Sequence, residues 1–238
     1  MVLDIVTRIH ESAKTAFLLV STGATGTERR MANIFLQLIR YYPGQYLLIT
    51  NLELAGALER AGFGLAELEN VFMLEGRSIV DRKRGGQATL HVNAGRLLTL
   101  LAYRWQTKSL LQQHKVDTLQ VFLEMVPFLG IFPIPGVRMI ASLVSHLPKY
   151  YTRGSFSCRL LLQALRSYQG IDALSPSIAG RLGDLGVAGS KISFPKWICV
   201  DTFRFRPSPK EHTVTFTSRA LAFKNPLLML SVIEQVLN

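Results

Sequence analysis

Apolar residues along this chain fall into short continuous runs that alternate with stretches of helical spacing. Thr15 to Thr22 (TAFLLVST) is a short apolar run that ends in a glycine-rich turn, the pattern of a parallel strand buried on both faces. Met31, Ile34, Phe35, Leu38 and Ile39 then recur at helical spacing, and Tyr41-Tyr42-Pro43-Gly44 stops that helix. A second strand is predicted at Tyr46 to Thr50, a short helix at Glu53 to Arg60 and a third strand at Val71 to Leu74. From Ala94 to His114 a long helix places Leu97, Leu98, Leu101, Ala102 and Trp105 on one stripe, with Arg96, Thr99, Tyr103 and Gln106 off it. That stripe is expected to cover the sheet.

Thr118 to Leu123 and Val137 to Leu143 read as further strands. The apolar stretch Val121 to Val137 holds Glu124 and three prolines, which suits a buried strand and a tight loop rather than a patch on a membrane. A helix from Phe156 to Tyr168, a strand from Ile171 to Leu174, a helix from Pro176 to Leu185 and a short strand near Ile192 complete the series. The fold class expected is α/β and Rossmann-like, a mainly parallel sheet with helices on both faces and right-handed crossovers.

Composition changes at Pro195, where three prolines in fifteen residues interrupt the periodicity. The expected organisation is a Rossmann-like domain over 1–194, an interdomain segment over 195–211 and the opening of a second domain over 212–238. That opening offers one strand, Thr213 to Thr217, and one helix, Pro226 to Leu237, with proline at its start. Two elements cannot enclose a core, so the second domain is expected to be truncated.

With 48% hydrophobic and 18% charged residues, the chain has material for a packed core and little for extended disorder. No apolar run reaches the ~20 residues of a membrane span, and the first fifteen residues lack the long apolar stretch of a signal peptide. Cys158 and Cys199 are far apart and not at metal-ligand spacing, which suits a reducing cytoplasm and no structural zinc. The formal charge is +11, and Arg77 to Lys115 carries eight basic residues against Asp81 alone. Such an excess favours an anionic partner. Without a helix-turn-helix, RRM-type aromatics or a zinc finger, a phosphorylated small molecule or an anionic lipid surface is a better expectation than nucleic acid.

Candidate chemistry begins at the turn Gly23-Ala-Thr-Gly-Thr-Glu-Arg-Arg30, between the first strand and the first helix. Glycines let a backbone approach a ligand, and free amides at a helix start attract anions. Thr27 is expected to cap that helix and Glu28 to suit its positive end. The same turn also serves as a plain strand-to-helix connection. Gly-Ala-Thr-Gly is similar to the nucleotide loop of extended short-chain dehydrogenases. However, Arg29 stands where those enzymes need a third glycine, and no tyrosine is followed four residues later by lysine.

Gly26-Thr-Glu-Arg29 resembles the Gly-Gly-x-Glu-Arg loop of glycosyltransferase family four, enzymes of the GT-B fold, and other segments follow in register. Lys115-Val-Asp-Thr-Leu resembles the entry to that family's central strand, and Ile171-Asp-Ala-Leu-Ser-Pro-Ser177 one of its later strands. Lys191 to Pro207 resembles the interdomain segment, although Ile198-Cys199 replaces an Asn-Gly pair. Thr217-Ser-Arg219 with Lys224-Asn-Pro226 resembles the opening of the donor domain, with Ser218 for the usual glycine.

The resemblance implies transfer of a sugar from a nucleotide-sugar to a saccharide or lipid-linked acceptor. It further implies retention of anomeric configuration, no required divalent metal and no cofactor beyond the nucleotide-sugar substrate. Arg219 and Lys224 would then bind the donor diphosphate, while Gly23, Gly26, Thr27, Glu28 and Arg29 form the acceptor or phosphate loop. Ser142, Val144 or His146 would stand where the family often has a donor-site histidine, which makes His146 the candidate catalytic residue. Glu59, Glu67 and Glu75 share the family's Glu-x7-Glu spacing but sit in the wrong domain, so their spacing is read as chance. A non-catalytic binding module, or a subunit needing a donor-domain partner, is the alternative. An NAD(P)-dependent oxidoreductase is the third reading, and peripheral contact with an anionic membrane is a further expectation.

Overall fold

A computed structural model describes residues 14–76, 94–122, 125–143, 152 and 154–193. They all fall in one unit, Met1–Cys199. The basic loop at Arg82, His146, Cys199, the interdomain segment and the strand and helix bearing Arg219 and Lys224 lie outside the described residues.

Seven parallel strands form one sheet in the order β3-β2-β1-β4-β5-β6-β7. They are β1 (Thr15–Leu19), β2 (Tyr46–Asn51), β3 (Val71–Leu74), β4 (Thr118–Phe122), β5 (Arg138–Leu143), β6 (Gly170–Ala173) and β7 (Ile192–Ser193). The helices are α1 (Gly26–Tyr41), α2 (Leu52–Glu59), α3 (Ala94–Gln113), α4 (Met125–Ile131), α5 (Phe156–Arg166) and α6 (Pro176–Leu185).

Alternation along the strands sorts the core into two layers, because successive side chains leave a strand on opposite faces. Phe17, Leu19, Leu48 and Phe122 pack with Met31, Phe35, Leu54 and Leu58 of α1 and α2. Ala16, Leu18, Ile49, Leu119, Val121 and Ile171 pack with residues of α3 to α6. The expected α/β architecture with helices on both faces is therefore present.

Two expectations need correction. The stretch after β4 forms the helix α4 rather than a strand and loop. Pro127 is its third residue, where a missing N–H removes no intrahelical bond. The α4 helix presses on α5: a Cβ built at Gly130 would lie 2.5 Å from the Ala164 carbonyl oxygen. Tyr168 just beyond α5 donates its hydroxyl to the Val126 carbonyl oxygen at 2.7 Å, and burial holds its pKa well above the ordinary phenol value.

The second correction concerns α3, which is rotated from the expected setting. Thr99, Leu100, Tyr103, Thr107 and Leu111 are buried, whereas Leu97, Leu98, Leu101, Ala102 and Trp105 are exposed. Gln106 decides the rotation by completing the end of β3. Its side-chain amide donates to the Glu75 carbonyl oxygen at 2.7 Å and accepts from the Glu75 amide at 2.8 Å. Tyr103 lies against Gly76, where a Cβ would come within 2.7 Å of the ring. Helical spacing alone counted apolar residues. It could not count the backbone groups at the strand end that need partners.

Asp172 sits within β6 in a polar row across neighbouring strands. Gln120 Nε2 donates to Ser142 Oγ and to Asp172 Oδ2, each at 2.8 Å, and the Ser193 hydroxyl donates to Asp172 Oδ1. Burial raises the Asp172 pKa, and the Ser193 hydrogen bond offsets part of that rise. A raised folded-state pKa costs stability as pH climbs from the unfolded value of about 3.9. Asp172→Asn, which carries no such charge, is therefore expected to gain stability relative to wild type as pH rises from 4 to 7. Urea unfolding at both pH values checks this.

Candidate functional site

In open parallel sheets, ligands bind beyond the carboxyl ends of the strands, where the chain order reverses. Here β1 leads to β2 on one side, while β4 leads to β5 on the other, so the reversal falls between β1 and β4. The predicted glycine turn leaves β1 at that point and enters α1.

Helix α1 starts at Gly26 with Thr25 as its N-cap, which corrects the expectation that Thr27 caps it. The first helical bond runs from the Arg29 amide to the Thr25 carbonyl oxygen at 3.0 Å. The amides of Gly26 and Thr27 thus begin the helix without intrahelical acceptors, in the direction that attracts an anion. Thr27 is half-buried and Arg29 is exposed.

Glu28 has a different task from a ligand-facing carboxylate. It is only 4% exposed. One carboxylate oxygen accepts from the Ser21 hydroxyl at 2.8 Å; the other accepts from the Thr25 amide at 3.0 Å and from the Thr25 hydroxyl. This is a capping arrangement that ties the turn to the helix. The turn is also tied to the next strand, because the Ser21 amide donates to Asn51 Oδ1 at 3.1 Å, and Asn51 is buried at the end of β2. Asn51 was not singled out from the sequence; its place at a strand end, just before a helix, was the available signal.

Gly23 and Gly26 behave unlike the glycines that serve only backbone shape. Neither has the positive φ seen at Gly44, Gly62, Gly64, Gly136, Gly154 and Gly186. A Cβ built at either would meet nothing within 4 Å. Neither conformation nor packing requires glycine there, so the space over the turn is open to a ligand's approach.

Of the other expected positions, Ser142 is buried and engaged by Gln120 inside the sheet. The Glu59 carboxylate accepts from the Leu65 and Ala66 amides and holds the loop between α2 and β3. That structural task agrees with reading the Glu spacing as chance.

No family model matches this chain, and no curated protein matches it. Solved structures do. Anabaena HepE, in a crystal structure with UDP and glucose, aligns over 76% of this chain and 43% of its own, at 13% identity and a TM-score of 0.51. The UDP-GlcNAc 2-epimerase from Neisseria meningitidis, bound to UDP-GlcNAc, aligns over 76% of this chain and 45% of its own, at 10% identity and a TM-score of 0.52. The aligned part of the chain thus spans less than half the length of either structure. The likeness is one of fold: a Rossmann-like sheet of the kind that forms the N-terminal half of GT-B proteins.

Proposed function

We propose that this chain is the acceptor-side half of a GT-B glycosyltransferase. It acts in transfer of a sugar from a nucleotide-sugar to a saccharide or lipid-linked acceptor, with retention and without a required metal. The observation that supports this best is the turn at the sheet's reversal point. It combines helix-start amides with two glycines whose Cβ positions are open. In this reading Gly23, Gly26, Thr27 and Arg29 line the acceptor or phosphate loop, while Glu28 holds its shape from below. Arg219 and Lys224 neutralise the leaving diphosphate, and His146 serves the donor site.

The test is calorimetric titration of the purified chain with UDP, UDP-sugars, NAD and NADP. Nucleoside diphosphates are expected to bind in preference, and Arg219→Ala or Lys224→Ala to weaken that binding about tenfold, the loss of one charge-assisted hydrogen bond. Preference for NAD or NADP would overturn the proposal in favour of the oxidoreductase reading.

Because an epimerase shares the fold, nucleotide-sugar epimerisation is the second reading. It requires release of an epimerised nucleotide-sugar in the absence of any acceptor.

Gly26→Ala separates ligand space from structure. With α-helical backbone and no neighbour to strike, alanine is expected to leave stability unchanged or raise it by about 0.5–1 kcal/mol. Its methyl group intrudes on the ligand, so UDP binding is expected to fall while the thermal midpoint holds.

A further inference from the structure

The outward stripe of α3 has no partner among the described elements. Leu98 is 66% and Trp105 70% exposed, with Leu97 and Leu101 beside them on the same face. A soluble helix normally turns such a stripe inward, but the inward face is already filled by Tyr103, Leu100 and Leu111. The exposed patch continues onto the end of α4. Arg104 Nε and Nη2 donate to the Phe132 and Pro133 carbonyl oxygens at 2.9 and 2.8 Å, which sets the exposed Phe132 next to α3.

Charge decides what the patch fits. Helix α3 contains no Asp or Glu along its 20 residues. Arg104 and Lys108 border the apolar stripe, and the Arg104 guanidinium contacts neutral carbonyls that leave its charge intact. A second copy would bring cations against cations, on a chain that already carries +11. An acidic bilayer accepts all the groups together. Leucines enter the acyl boundary, tryptophan sits at the headgroup level, and the cations meet lipid phosphates. We propose that the outer face of α3, with Phe132, is a docking surface for an anionic membrane. No described helix is long and apolar enough to cross one, so the contact is peripheral. Docking of this face is independent of the sugar chemistry, since its test needs neither donor nor acceptor.

The experiment is co-sedimentation of the full chain with vesicles of phosphatidylcholine alone and with 30% phosphatidylglycerol (a fraction of about one anionic lipid in three). Binding is expected to the anionic vesicles, with a blue shift of Trp105 emission in a Trp197→Phe background. Leu98→Glu and Trp105→Glu are each expected to reduce partitioning about tenfold or more. Because both sites are exposed, circular dichroism and the thermal midpoint are expected to stay at wild type. Leu98→Ala, which removes only apolar area, should give an intermediate loss. Unchanged binding in both glutamate variants would overturn the proposal, because another basic surface would then carry the interaction. Equal binding to neutral vesicles would overturn it too, as would concentration-dependent dimerisation abolished by Trp105→Glu, which identifies a second copy as the occupant.

Discussion

Gly130→Val is expected to destabilise the Rossmann-like unit by about 3 kcal/mol or more, or to prevent folding, because it overpacks a contact with no slack. At Gly130 a Cβ would lie 2.5 Å from the Ala164 oxygen, 2.7 Å from its carbonyl carbon and 2.6 Å from its methyl group. Two of those three atoms are backbone, so no rotamer change in α5 relieves them. Around the same contact the Ser167 hydroxyl donates to the Gly130 carbonyl oxygen at 2.7 Å, so moving α4 outward also breaks a hydrogen bond. A drop in thermal midpoint of about 6–12 °C follows for a unit of this size. Gly130→Ala tests the cause. Helix propensity alone favours alanine by up to about 1 kcal/mol, so net destabilisation has to come from the clash. Adding Ala164→Gly removes only the methyl contact and is expected to rescue in part. A Gly130→Ala protein as stable as wild type would refute the close approach.

Glu28→Ala is expected to cost about 2–4 kcal/mol, since it leaves the Ser21 hydroxyl and the Thr25 amide without their acceptor and removes a helix cap. Glu28→Gln keeps one acceptor oxygen but turns an NH2 group toward donors, so about 1–2 kcal/mol is expected. Denaturant unfolding measures both. The result bears on the site, because the glycine loop takes its shape from this carboxylate. If Glu28→Ala unfolds at the wild-type midpoint and loses only ligand binding, Glu28 is a ligand residue and its structural assignment fails. If stability and binding fall together, and Glu28→Asp restores neither, the reach of the longer side chain is what the turn needs.

The β1–α1 turn was legible because its signals are local. A buried apolar run, glycines and a Thr/Glu pair are read from consecutive residues, and the helix start they imply lies within two residues of the observed one. The roles inside the turn were not legible to the same degree. Thr25 and Thr27 are equally able to cap, and only the path of the chain out of β1 selects Thr25. Likewise, the sequence offered Glu28 as a charge for the helix end, whereas its burial depends on Ser21 and on the approach of β2 through Asn51. The assignment of Arg219 and Lys224 to the proposed donor site rests on resemblance, and titration with nucleoside diphosphates tests it.

Alternating runs of buried strand and amphipathic helix, together with the handedness of parallel crossovers, were enough to determine an α/β sheet with helices on both faces. Those preferences act over a few residues and are the same wherever the segment sits. Which side of α3 faces inward was decided only in the folded molecule, because the helix is apolar on both sides. The choice fell to Gln106, which supplies partners to the backbone at the end of β3. The helix at Met125–Ile131 was likewise settled by tertiary packing, where a glycine lets two helices meet at backbone distance. Long-range hydrogen bonds and steric contacts of this kind join residues far apart in the chain, and no local pattern records them.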